Sequence, residues 1–215
     1  MDEPVRRIGI TNRSVSGIVP NMGRYESSLE RDFMEILRFD SNVKIFKPQP
    51  VIIEYQRADG SIGTYTPDGY FEYVPKLALL PVLYEIKYRA DFRQKWRSLI
   101  PKFRAAKNYC LEHGWEFKVF TEAEIRTTYL ENIKFLMPYK SRAITHDLKH
   151  TILIHLYDLK DSDPDLLLSA LCRDKMNRAR LIPALWYLIS VGEVGIDLAE
   201  PLTMRSPIWT LGCPE

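Results

Sequence analysis

The chain has 215 residues, of which 46% are hydrophobic, so it can form a substantial core. Its 30 lysines and arginines nearly balance 28 acids; the net charge of +2 therefore does not predict a nucleic-acid binder, and any basic patch must be local. The three cysteines and four histidines show no zinc-ligand spacing, and no apolar run approaches the roughly 18 residues of a membrane span, so we expect a cytoplasmic protein with reduced thiols and no membrane partner.

The first 39 residues contain a predicted arm and a predicted helix. Residues 1–24 lack periodicity and carry basic side chains, which predicts a basic N-terminal arm that a partner would order. Residues 25–39 form an amphipathic helix in the prediction, because apolar side chains recur at helical spacing at Leu29, Phe33, Ile36 and Leu37.

Strands and helices alternate from residue 43 to about residue 142. Strands are predicted at 43–46, 50–56, 64–73 and 81–88, with the middle two forming a hairpin. Ser98 is the predicted cap of a helix from Leu99 to about His113 that Gly114 ends, followed by a buried strand at 115–121 and a short helix. This order predicts an α/β domain at residues 25–142, with a mixed sheet flanked by helices.

The last third of the chain has a different character. Helices are predicted at 146–159, 164–172 and 178–192, followed by short β segments around 194–198 and 207–211. Three helices and a small hairpin predict a smaller, mainly helical winged-helix domain at residues 143–215.

An acid and a base lie two residues apart in the strand at 81–88. Glu85 and Lys87 project from the same face of that strand, and Asp68 follows Pro67 in a neighbouring strand. Two carboxylates and an ammonium are what a magnesium-dependent phosphodiesterase needs, and the spacing resembles the PD-(D/E)xK nuclease motif. An ordinary solvated strand face is the alternative, since Glu-x-Lys by itself is common.

A third acid would come from the first helix. Glu26 and Glu30 both lie beside its apolar stripe, so periodicity does not choose between them. We favour Glu30, because Glu26, in the first turn, is well explained by the helix dipole, whereas Glu30 is predicted to lie deeper in the helix.

Several segments together resemble the TnsA family of transposon end-cutting nucleases. They occur in the order YESSLERDFMEILRFD, PQPVIIEY, YTPDGYF, YEIKYR and GWEFKVFTEAEIR, and span about residues 24 to 140. The resemblance implies a restriction-endonuclease-like fold, with Glu30, Asp68, Glu85 and Lys87 as catalytic residues. Magnesium, or manganese in its place, would be bound by Glu30, Asp68, Glu85 and the Ile86 carbonyl.

The same resemblance implies an activity and partners. The chain would cut the 5′ ends of a transposon in bacterial double-stranded DNA, at the nucleoid. A DDE-type transposase, TnsB, would cut and join the 3′ ends, and an AAA+ ATPase, TnsC, would bind the C-terminal region as regulator.

A local basic patch lies beside the predicted site. Residues 87–107 contain eight basic side chains and one acid, and we expect phosphate contacts from Arg89, Arg93, Lys95, Arg97, Lys102 and Arg104. Apolar residues of this segment, Trp96 and Phe103 among them, are predicted to be core. Gln49, between two prolines, is a candidate DNA contact or, as we slightly favour, satisfies a backbone group at a strand start.

Two other functions remain open at this point. A restriction or repair endonuclease would cut DNA without partners. A non-catalytic adaptor would bind DNA or the ATPase through the winged helix, where Arg173, Lys175, Arg178 and Arg180 lie before or at the start of the predicted recognition helix.

Overall fold

The computed structural model describes residues 16–20 and 22–212. The chain forms two compact units that divide between Arg126 and Thr127, and each is described by itself.

The first unit is a mixed α/β domain. Its elements are β1 (Gly17–Val19), β2 (Gly23–Tyr25), α1 (Ser28–Phe39), β3 (Val43–Pro48), β4 (Ile53–Gln56), β5 (Ile62–Tyr65), β6 (Gly69–Tyr73), β7 (Val82–Ile86), α2 (Arg89–His113), β8 (Glu116–Phe120) and α3 (Glu122–Ile125). The main sheet has the order β3-β6-β7-β8, in which only the β7–β8 pair is parallel. A mixed sheet flanked by helices was predicted, and it fits a restriction-endonuclease-like fold.

Helix α1 covers one face of this sheet. Its apolar stripe includes Leu29 and Phe33, which are buried against Tyr84 and Ile86 of β7. The helix begins at Ser28 and not at the predicted residue 25, because Ser27 has extended backbone angles and its hydroxyl caps the first turn.

Helix α2 packs on the opposite face, and the predicted start of this helix was wrong. It runs for 25 residues from Arg89, so Ser98 and Pro101 lie inside it. The hydroxyl of Ser98 donates to the Lys95 carbonyl, and the free backbone N–H of Arg89 is satisfied by the Glu122 carboxylate, 2.9 Å away. A partner from another element thus replaces the local cap that the sequence suggested.

The predicted strand at 64–73 is broken into two strands of different sheets. β5 pairs with β4 in the predicted hairpin, whereas β6 pairs with β3 and β7. The break includes Pro67, which has no backbone N–H to contribute to a ladder.

Part of the predicted arm has structure of its own. β1 and β2 form a short antiparallel hairpin, and Val19 and Met22 are buried in the same core as α1. Arg24 is exposed on β2, while Arg6, Arg7 and Arg13 lie outside the described residues.

The second unit contains α4 (Thr128–Lys140), α5 (His146–Leu159), α6 (Pro164–Leu171), α7 (Lys175–Ser190), β9 (Val194–Ile196) and β10 (Ile208–Thr210). The three predicted helices and the β segments are present, and β9 pairs antiparallel with β10. Helix α4 was not predicted; it packs on α7, and its buried Asn132 donates to the carbonyls of Leu198 and Glu200. The predicted domain boundary after residue 142 remains a prediction.

None of the helices in the described part of the chain has the length and apolarity needed to cross a bilayer.

Candidate active site

The candidate site lies at the edge of the main sheet where the central strand β6 begins and the central strand β7 ends. β6 and β7 are antiparallel, so Asp68, which precedes β6, and Lys87, which follows β7, reach the same edge. Gly69 lies opposite Tyr84 in this pair, and a Cβ atom at Gly69 would overlap the Tyr84 ring. Glycine therefore leaves room for the Tyr84 ring to lie across the strand beside Asp68.

The Lys87 ammonium is the centre of the site. Its Nζ lies 2.7 Å from Glu85 Oε1 and 3.7 Å from Asp68 Oδ2, and it donates to the Ile86 carbonyl at 3.1 Å. The structure thus brings together Asp68, Glu85 and Lys87, as the motif predicted. Their catalytic roles remain a prediction.

Glu85 is only 3% exposed and is held from two sides. One carboxylate oxygen pairs with Lys87, and the other accepts a hydrogen bond from the Tyr65 hydroxyl at 2.6 Å. Burial and then the charge of Glu85 raise the pKa of Tyr65, so the hydroxyl keeps its proton and acts as a donor. The sequence analysis missed Tyr65, because it belongs to no motif and β5 lies in a different two-stranded sheet.

Asp68 and Lys87 each change the pKa of the other. Asp68 Oδ2 accepts a hydrogen bond from the Ile86 backbone N–H at 2.7 Å. Burial, followed by the charge of Glu85, raises the pKa of Asp68 well above its usual value, and the charge of Lys87 opposes this rise. Burial lowers the pKa of Lys87, but the charges of Asp68 and Glu85 outweigh burial and raise it overall, so the ammonium keeps its proton at neutral pH.

Glu30 is the helix acid that shares the electrostatic field of this site. Burial raises its pKa, the charge of Lys87 lowers it, and the charge of Glu30 in turn raises the pKa of Asp68. It lies in the first turn of α1 and not deeper in the helix as predicted, because the helix begins at Ser28. Its carboxylate accepts hydrogen bonds from the Glu26 backbone N–H at 2.8 Å and from the Ser27 hydroxyl at 2.9 Å.

The donor atoms at this edge fit a hard divalent cation. Carboxylate and carbonyl oxygens are the ligands that Mg²⁺ prefers, and oxygens of Asp68, Glu85 and Ile86 all surround the Lys87 ammonium. Among residues 16–20 and 22–212, no group of three or more His, Cys, Asp or Glu side chains is arranged to hold a metal ion. The oxygen atoms are of the kind that such an ion prefers, and the Lys87 ammonium lies among them.

The predicted phosphate-binding residues lie mainly on a protruding helix end. Nearly every residue from Arg89 to Ser98 is exposed, on all sides of α2. Lys95 pairs with Asp91 at 3.4 Å. The remaining members of the predicted set are Arg89, Arg93, Arg97 and Arg104, which are exposed, and Lys102, which lies 5.9 Å from the centre of the Tyr55 ring.

The aromatic residues of this helix differ from the prediction in one case. Trp96 is 44% exposed and is not a core residue, since all residues from Phe92 to Ser98 are exposed. The Arg97 guanidinium lies 5.4 Å from its ring centre. Phe103 is partly buried against the sheet, as predicted.

One comparison with known proteins matches the segment that holds the site. The family model for the N-terminal domain of TnsA-like endonucleases matches residues 40–122, and this segment includes Asp68, Glu85 and Lys87. The predicted resemblance is confirmed over these residues. A comparison with curated proteins finds no match.

Proposed function

We propose, from the premise that this chain carries a TnsA-like endonuclease N-terminal domain at residues 40–122, that it is the metal-dependent endonuclease subunit of a heteromeric transposase. In this proposal it hydrolyses the 5′-end strands at transposon ends, while a TnsB-type DDE transposase acts on the 3′ ends. The observation that carries the proposal is the meeting of Asp68, Glu85 and Lys87 at one sheet edge inside the matched segment.

The residues of this edge have distinct parts in the proposed reaction. Glu30, Asp68, Glu85 and the Ile86 carbonyl would hold Mg²⁺, for which Mn²⁺ would substitute. When bound, the cation would supply Lewis-acid polarisation of the scissile phosphate. The phosphorus would gain a bond to the attacking water oxygen and lose its bond to the leaving oxygen of the neighbouring nucleotide, while the water gives up a proton to solvent and the leaving oxygen takes one up.

Lys87 supplies a permanent positive charge for this step. Its raised pKa means that it acts as a hydrogen-bond donor, so it would orient the attacking water or bind a phosphate oxygen. Tyr65 holds one oxygen of Glu85 in place, which leaves the other oxygen to pair with Lys87.

The exposed start of α2 would bind the DNA backbone. This helix begins two residues after Lys87, so Arg89, Arg93 and Arg97 extend from the site into solvent. Phosphate contacts carry no sequence information, which suits an enzyme whose ends are chosen by its partners.

The second unit is proposed to be a winged-helix domain that binds a TnsC-type ATPase. Support comes from the succession of α5, α6 and α7 followed by the β9–β10 pair, to which Ser162 adds a bridge at Ile208. The basic residues near the start of α7 leave DNA contact as a second role.

The test is a cleavage assay on labelled transposon-end DNA with the partner transposase. We expect Asp68→Asn and Glu85→Gln to abolish 5′-strand cleavage and to leave 3′-strand cleavage intact. Asp91→Asn is the matched control, because this acid lies on the surface of α2 beside Lys95, and we expect no loss. Unchanged 5′ cleavage in both site variants would favour the adaptor, and cleavage by the chain without a transposase would favour a stand-alone nuclease.

A further inference from the structure

Gln49 has an unusual backbone conformation next to the site. It lies between Pro48 and Pro50 with a φ of 43°, a left-handed conformation that few residues other than glycine adopt. Its backbone N–H donates to the Asp68 carbonyl at 3.1 Å. Strained residues of this kind cluster at functional sites, where the surrounding structure holds them in place.

The side chain of Gln49 reaches the helix on the other side of the site. Its Nε2 donates to Glu26 Oε1 at 3.1 Å, and the Glu26 backbone N–H donates to Glu30 Oε2 at 2.8 Å. One residue therefore connects the strand acid Asp68 to the helix acid Glu30 through a short series of hydrogen bonds. The bond to a carboxylate also establishes which end of the amide is the nitrogen.

The other end of the amide is an unused acceptor. Gln49 Oε1 is buried and makes no hydrogen bond with any residue in the described ranges 16–20 and 22–212. The carboxylate of Glu26, its neighbour, has no proton to donate when ionised and so does not satisfy Oε1, which leaves room for a donor from outside the chain. Water carried by a hydrated cation is a donor of this kind.

We propose that Gln49 is a positioning residue of the cation site, and that Glu26 serves as its hydrogen-bond acceptor and is not itself a metal ligand. The amide keeps the start of α1, and with it Glu30, at a constant separation from Asp68. This role for the cation rests on the proposed function, whereas the link between Gln49 and Glu26 exists without a cation.

The link is tested first in the metal-free protein. Urea unfolding is measured for Gln49→Leu, Glu26→Leu and the double variant; leucine keeps a similar volume and the same backbone demand but has no amide or carboxylate. We expect the shift of the double variant's midpoint to be clearly smaller than the sum of the two single shifts. Additive shifts would overturn the link.

Calorimetric titration with Mn²⁺ then tests the positioning role. Gln49→Gly relieves the backbone strain and also lacks the amide, so we expect both Gln49→Leu and Gln49→Gly to weaken binding by about tenfold, as loss of an outer hydrogen-bond partner does. Glu26→Gln keeps the acceptor oxygen, and its affinity should stay within about threefold of the unchanged protein.

Each other result has a definite meaning. Full affinity in Gln49→Gly would reduce Gln49 to a backbone role, and loss of binding in Glu26→Gln would make Glu26 a ligand; either result overturns the proposal. If the unchanged protein binds no Mn²⁺, the metal-dependent function fails, and the unfolding measurements still decide whether the link exists.

Discussion

Replacing Lys87 with methionine should have opposite effects on cation binding and on catalysis. The ammonium lies among oxygens of Glu85, Asp68 and Ile86, which are also the atoms predicted to hold a cation. A cation that takes this position must displace the ammonium from Glu85. Lys87→Met keeps the length of the side chain and removes the competitor, so affinity should rise while DNA cleavage is lost.

The size of the gain in cation affinity follows from the contact between Lys87 and Glu85 that the cation must break. A net charge-assisted hydrogen bond contributes about 1.5–3 kcal/mol, and the 2.7 Å contact between Lys87 and Glu85 is of this type. Because about 1.4 kcal/mol corresponds to a factor of ten, the Mn²⁺ affinity should rise by about tenfold to a hundredfold. Calorimetry at constant pH and salt measures this directly.

Arg89→Gln provides the matched control for the loss of one positive charge. Arg89 is two residues away, and its guanidinium pairs with the exposed Glu124 at 3.5 Å. We expect its removal to change the affinity by less than about twofold, since exposed ion pairs contribute little. Unchanged or weaker Mn²⁺ binding in Lys87→Met would refute the competition between the ammonium and the cation. An equal gain in Mn²⁺ affinity in Arg89→Gln would refute it as well.

Three more results are expected. Tyr65→Phe leaves a buried oxygen of Glu85 without its donor and should lower the free energy of unfolding by about 1–3 kcal/mol in urea; a loss near zero would contradict this. The raised pKa of Asp68 means that the folded protein holds a proton there that the unfolded chain releases near pH 3.8, so the free energy of unfolding falls as pH rises above that value. Asp68→Asn should remove the part of this fall that comes from Asp68. An unchanged pH dependence of stability in this variant would contradict the prediction. Replacing both Arg93 and Arg97 with glutamine should reduce the salt dependence of DNA binding by about two phosphate contacts, and an unaltered dependence would exclude them from the interface.

Local pattern predicted the helices well where one face of the helix is apolar. α5 has the predicted bounds, and α1 differs only at its start, where Ser27 was not recognised as the cap. The start of α2 was missed because its first turns are exposed on all sides, so they have no apolar stripe, and because its first N–H is satisfied by distant Glu122.

The site shows the same limit of local pattern. The spacing of Glu85 and Lys87 predicted their shared face, the Pro-Asp pair in a neighbouring strand pointed to Asp68, and the resemblance implied these residues together with Glu30, which position in the helix had favoured. Tyr65 carries no motif and belongs to a different two-stranded sheet, so its hydrogen bond to Glu85 could not be read from spacing.

The sequence by itself determined which ionisable groups this protein has and which of them share a strand face, because side-chain direction in a strand follows from the backbone period of two. Motifs that occur together in one order also predicted the resemblance to TnsA-like endonucleases, and the family model matches it over residues 40–122. Only the tertiary structure decided that the Lys87 ammonium lies among the oxygens of Glu85, Asp68 and Ile86, and that Gln49 connects Glu26 to Asp68. These contacts join residues up to 23 positions apart. Antiparallel pairing of β3, β6 and β7 brings Gln49, Asp68 and Lys87 to one edge, and the residues before α1 place Glu26 beside Gln49.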